Sequence, residues 1–413
     1  MNRLYSMIVV VFVLLACAGC STRKNVIYAK DDRAEVRSGS AFFMDRSGDL
    51  YPPASVEVDA AGMRGDGLGT QDVTMENVAT LRAYFERESK VGSGNWADFL
   101  RATGTVSSGR FESDWRLVQD KLRDNVVADF NAHADKEILL LVHGFNNNHG
   151  EINTWMEKFV DDVHRDRPDV HVVQMYWDGL RGNFAGIGIW GEAQFNGPRV
   201  GHGLRRILNK VEPNARLRIF THSSAAFVVT NALGNGGGSY KGFSGKGNEL
   251  VGARAGATRG DYRIPTNLTN LRVAMLVPAQ PVTAFSHFRD ESPAQKDESY
   301  QGVVPSRLIL GTSKGDVATS KFLLPCNTLG TGNTCMAVRP KRACATVRRD
   351  LDQGGKPSPV YLVNFPRPWH WYHAHGVNSY KKSVKQWDEL MAQLFEDDPV
   401  DPVATTTWCR KSA

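Results

Sequence analysis

The segment Thr221-His222-Ser223-Ser224-Ala225 follows directly on Leu217-Arg218-Ile219-Phe220, which reads as a strand. A strand that breaks sharply into a helix holds the residue at the corner in a strained conformation. A serine there projects its hydroxyl from the strand end, where it can attack a carbonyl carbon. Such a corner needs small residues two positions to either side, and Thr221 and Ala225 stand there in place of the glycines of a G-x-S-x-G elbow. Placing the corner at Ser224 would put His222 where a small residue is required, so Ser223 is the candidate nucleophile. Taken alone, the pentapeptide reads more simply as a serine pair capping a helix; the rest of the chain changes that balance. Attack on a carbonyl builds an oxyanion, which main-chain N–H groups fixed in space must stabilise. His143-Gly144-Phe145-Asn146 ends an earlier apolar run, and its glycine permits a sharp turn. The amides of Phe145 and Ser224 are therefore the candidate oxyanion hole, the alternative being a plain strand-ending turn.

These groups need a frame. Glu137–His143 (EILLLVH) is a continuous apolar run, the mark of a strand buried on both faces. Further strands are predicted at Val170–Trp177, Leu217–Thr221, Leu271–Val277, Ser306–Gly311 and Pro359–Asn364. Between them, apolar residues recur at helical spacing: Trp115 to Phe130, Glu151–His164, Val200–Val211, Ser223–Leu233 and Ser379–Phe395. Strand alternating with helix predicts the α/β class, a mainly parallel sheet with helices on both faces and its chemistry along one edge. This main domain spans 106–395. A Gly-rich hydrophilic insertion at 234–266 reads as a lid or an excursion near the site. Residues 21–105 read as a loosely organised N-terminal extension with one helical piece near Met75 to Glu88, and 396–413 as a C-terminal tail. No internal repeat is evident.

The strings LLLVHGFNNN, THSSA, LVPAQPVTAF and LILGTSKGDVATS, in this order and spacing, resemble the α/β-hydrolase superfamily, in particular a poorly characterised bacterial group of serine hydrolases. The resemblance covers about residues 136–395. It departs from the group at Ala225, where Gly is usual, and at Ala279, where Asp is common. It implies Asp316 as the acid of a catalytic triad. The physical reading agrees, because Asp316 follows a strand through a short loop containing Gly315 and lies downstream of the serine. Asp178, at another strand end but upstream of the serine, is the second choice. In the order Ser, Asp, His the base comes last. Trp369-His370-Trp371-Tyr372-His373-Ala374-His375-Gly376 offers three histidines. His375, nearest the closing helix, is chosen, with His373 the runner-up and His370 third. Metal binding by this loop would need ligands that the sequence does not place, so no metal and no cofactor are expected. The implied activity is cleavage of carboxylic esters through an acyl-enzyme, by an esterase- or lipase-like enzyme acting on a small-molecule or lipid ester. Peptidase, thioesterase and acyltransferase use the same machinery, and a catalytically silent binding protein on the same scaffold is the alternative of a different kind.

The first residues bear on location. Met7–Ala16 is an apolar run of ten after Arg3, too short to span a bilayer and suited to a secretory signal. It ends in Cys17-Ala18-Gly19-Cys20, which resembles the bacterial lipobox. That resemblance implies removal of residues 1–20 as a signal peptide up to a lipidated Cys20, hence an anchor on the cell envelope. Ser21 after it implies the outer membrane, facing the periplasm or the cell surface. Cys326, Cys335, Cys344 and Cys409 remain, and an even number in an exported chain suggests two disulfides with three possible connectivities. The 413 residues carry a net charge of +6 with no dense basic block, which argues against a nucleic-acid partner. Hydrophobic residues at 41% supply ample core.

Overall fold

The computed structural model describes residues 39–58, 80–145, 147, 149–179, 190–234, 268–280, 305–313, 316, 360–366, 375–397 and 406–408. Its centre is the run EILLLV, which forms β2 (Glu137–Val142) with Ile138 through Val142 fully buried. Five consecutive buried side chains point alternately to opposite faces, so both faces of this strand are covered. β3 (His171–Trp177), β4 (Arg216–His222), β5 (Arg272–Leu276), β6 (Arg307–Thr312) and β7 (Val360–Asn364) are built the same way. With β1 (Ser40–Met44) and β8 (Thr406–Trp408) they make an eight-stranded sheet in the order β1-β3-β2-β4-β5-β6-β7-β8. The first seven strands run parallel and β8 alone is antiparallel, paired to β7. The α/β class is thus present, and the carboxyl ends of the parallel strands share one edge.

Helices α1 (Leu81–Lys90), α2 (Gly94–Ala102) and α3 (Phe111–Ala132) precede β2. α4 (His149–Asp166) joins β2 to β3, α5 (Trp190–Leu208) joins β3 to β4, and α6 (Ala225–Leu233) follows β4. The chain closes with α7 (Val377–Lys381) and α8 (Val384–Phe395). Phe220 of β4 meets Phe159 of α4 at 4.6 Å between ring centroids and Trp387 of α8 at 6.0 Å, so these two helices share one face of the sheet. α5 and α6 pack closely: a Cβ on Gly201 would stand 2.7 Å from the main-chain oxygen of Val228. Arg205 of α5 is buried and donates to the carbonyls of Asn231, Ala232 and Gly234, capping the carboxyl end of α6 with positive charge. Arg272 and Arg307 do the same for α8, donating to Leu394, Gln393 and the Glu396 carbonyl. The helix that follows Ser223 and the last helix of the chain, α8, are each pinned at their carboxyl ends.

Three expectations change. The segment read as a loose extension supplies the edge strand β1, in register with β3 from Ser40↔Val173 to Met44↔Trp177. It also supplies α1 and α2, whose Phe85, Trp96 and Phe99 cluster with Trp115 of α3. The sheet therefore begins well before residue 106. The segment read as a tail contributes β8. The single closing helix is also two helices, broken at Lys382–Ser383. The signal segment, Cys20, the four later cysteines, His370, His373 and 235–266 of the insertion lie outside the described residues.

Candidate active site

At the carboxyl end of β4 the backbone turns through Ser223 with φ 58°, the left-handed region that a side chain rarely adopts. A non-glycine residue held there costs about 1–3 kcal/mol and persists only where its surroundings enforce it. They do: the Ser223 amide donates to the Leu276 carbonyl at 3.0 Å, and the Ser223 carbonyl accepts from Ala279 at 3.1 Å, so the end of β5 grips both sides of the corner. Ser224 is the N-cap residue of α6 by backbone, yet its side chain makes no capping bond. The serine pair is therefore a corner and not a cap.

Three residues distant in sequence meet at this corner. His375 Nε2 lies 2.7 Å from Ser223 Oγ, and its Nδ1 lies 2.8 and 3.0 Å from the two oxygens of Asp316. A carboxylate only accepts, so Nδ1 carries the proton and Nε2 presents its lone pair to the hydroxyl. Asp316 is fully buried and also accepts from the Tyr380 hydroxyl at 2.5 Å. Burial, and then the Asp316 charge beside it, push the Tyr380 phenol above its ordinary range, so it remains a donor. The order along the chain is Ser223, Asp316, His375, as expected. Asp178, the second choice for the acid, is buried elsewhere in an ion pair with Arg46, Nε to Oδ2 2.7 Å. Arg46 follows β1, so the N-terminal segment satisfies this carboxylate.

The turn after β2 lies against the elbow. A Cβ on Gly144 would stand 2.9 Å from Ser223 Cβ and 3.0 Å from the His222 carbonyl oxygen, so only glycine fits. His143 shapes this turn: its Nδ1 donates to the Gly144 carbonyl at 2.6 Å and its Nε2 accepts the Trp177 amide at 2.9 Å. Of the two expected oxyanion donors, the Phe145 amide points at the Ser224 hydroxyl, 2.8 Å away. That oxygen stands at the distance an oxyanion would take, so a substrate must turn the Ser224 side chain aside to reach the donor. The Ser224 amide opens α6, where the helix dipole is positive.

His222 is the residue that the sequence reading passed over, having served there only to exclude Ser224. It is buried, and its Nε2 donates 2.6 Å to the main-chain carbonyl of His375, with the two rings 4.8 Å apart. Burial, and then the proximity of His375, push its pKa from 6.5 down to about 3, so the ring is neutral. Its Nδ1 has no partner among the described residues. The side chain just before Ser223 thus holds the backbone of His375. Nothing in its sequence position distinguishes that role from a buried strand-end histidine. Comparisons with protein-family models, with curated proteins and with solved structures find no match, so the functional reading rests on this geometry.

Proposed function

We propose that the chain is a serine hydrolase of the α/β-hydrolase type that cleaves carboxylic esters. The observation that carries this reading is the continuous relay Tyr380–Asp316–His375–Ser223 ending on a serine at φ 58°. In the reaction His375 Nε2 takes the Ser223 proton as Oγ attacks the ester carbonyl carbon. Buried Asp316 stabilises the imidazolium that forms, and the amides of Phe145 and Ser224 receive the oxyanion. The imidazolium gives its proton to the leaving alcohol, leaving an acyl-serine. Water, deprotonated by the same imidazole, then releases the acid and restores Ser223. An elbow after a parallel strand, an oxyanion turn after a neighbouring strand and the order Ser, Asp, His support the fold assignment. With the lipobox-like start and Cys20, the reading extends to an enzyme tethered by lipid at the cell envelope, with its remaining cysteines in disulfides.

A silent scaffold is favoured by one observation, the Ser224 hydroxyl in front of the Phe145 amide. Labelling with a fluorophosphonate separates the two. The active enzyme incorporates one probe per chain, Ser223→Ala abolishes incorporation, and hydrolysis of p-nitrophenyl acetate disappears with it. Folded protein that takes up no probe and hydrolyses no ester across a panel of acyl lengths would sink the enzyme reading.

A further inference from the structure

At the opposite edge of the sheet, the amino ends of the strands, three side chains converge that the hydrolase reading does not use. Asp129 lies in the last turn of α3, His133 is the residue that ends that helix, and His171 is the first residue of β3. One ligand-type atom from each lies within 4.8 Å of the other two. His171 Nε2 is 3.1 Å from Asp129 Oδ2, which also accepts from Ser40 Oγ at 2.5 Å. His133 Nδ1 donates to the Asp129 carbonyl at 2.8 Å, the kind of backbone bond that fixes the tautomer of a metal-ligating imidazole and leaves Nε2 its lone pair. The two imidazoles stack at 3.6 Å between centroids and 7° between planes.

We propose that Asp129, His133 and His171 form a site for a divalent transition metal of the zinc class that fastens α3 to the β1–β3 edge of the sheet. Two imidazoles and one carboxylate are the donor set of a three-ligand zinc site with solvent in the fourth position, whereas calcium and magnesium require more oxygens. All three side chains are partly exposed, so an ion can enter and keep a water. Parallel ring planes direct their lone pairs side by side, so capture requires one of the two rings to turn. His171 begins β3 whereas Ser223 follows the end of β4, so the two sites lie at opposite edges of the sheet, and this one does not depend on the hydrolase reading.

The test uses the full chain purified without a histidine tag, stripped with chelator and titrated with zinc chloride by calorimetry at neutral pH. One saturable site is expected whose affinity falls at least tenfold in both His133→Gln and Asp129→Asn, while fluorophosphonate labelling is unchanged. Absence of saturable binding in the wild type, or wild-type affinity in both variants, overturns the proposal. If one variant does not fold by circular dichroism, the other decides.

Discussion

Substituting leucine for His222 removes one hydrogen bond and one titrating group, and each loss has a measurable size. The bond is the 2.6 Å donation from Nε2 to the His375 carbonyl. A buried bond of this kind contributes about 0.5–1.5 kcal/mol net. A drift of a catalytic group by about 1 Å costs on the order of 10²-fold in rate. On an activated ester, kcat is therefore expected to fall about 10- to 100-fold with little change in KM. Glutamine, which places a donor near the Nε2 position, is expected to recover part of it. The titrating group acts on stability. Unfolded, the ring takes a proton near pH 6.5; folded, it does so only near pH 3. Between those values the unfolded chain binds the extra proton, so stability rises with pH. The contribution is complete above pH 6.5 and lost as the pH falls toward 3. Its size is about 1.4 kcal/mol per pH unit, about 4–5 kcal/mol over the whole window. Buried Asp45, raised to about 6 by burial and by Asp49, runs the other way: its contribution is present below 3.8 and lost as the pH rises through 6. It is common to both proteins and cancels in their difference. Urea unfolding of wild type and His222→Leu from about pH 7.5 to 4.5, plotted as a difference, isolates the His222 contribution. Parallel stability curves, or a leucine variant with wild-type kcat, would refute the reasoning.

Three other substitutions probe the same frame. Gly144→Ala places a methyl 2.9 Å from Ser223 Cβ; the overpacking is expected to cost about 1–3 kcal/mol in urea unfolding and to lower kcat by displacing the Phe145 amide. Tyr380→Phe removes the donor 2.5 Å from Asp316; a charge-assisted bond of about 1.5–3 kcal/mol is lost, read as lower stability at pH 7, with ester hydrolysis slower by about tenfold. Arg46→Ala strands Asp178 in the interior and is expected to destabilise by about 3–5 kcal/mol, with Asp178→Asn on the same chain restoring much of it in thermal unfolding. Restoration absent from the double variant would mean that Arg46 acts through other contacts.

What could be read from the sequence, and what could not, divides along a physical line. The six central strands were legible because they are buried on both faces and so read as mainly apolar segments, interrupted only by single residues such as Gln174 and Arg218; EILLLV and RVAML need no partner to be recognised. β1 was not, because SAFFM is five residues between Gly39 and the polar turn Asp45–Asp49, and its pairing with β3 is made some 130 residues away. Ser223 was legible only in company, because a strand that stops at a serine and restarts as a helix could equally be a helix cap until the His143-Gly144 turn and the later Asp and His are set beside it. That the corner reaches φ 58° without flanking glycines was not, since the tolerance comes from β5 bonding both sides of it rather than from the residues at 221 and 225. The choice of His375 among three histidines followed from its place beside the closing helix; it lies against Ser223, while His370 and His373 fall outside the described residues. The supports escaped notice for a shared reason. His222 holds a carbonyl 153 residues on, Arg205 caps α6 at Asn231 and Ala232, and Asp129 gathers Ser40 and His171. Each is a bond to a group that every residue carries, or between residues joined only by the fold, so no residue type or spacing announces it. The reacting groups are constrained by chemistry and can be found one at a time; the groups that aim them are constrained by position and emerge only once the strands are in order.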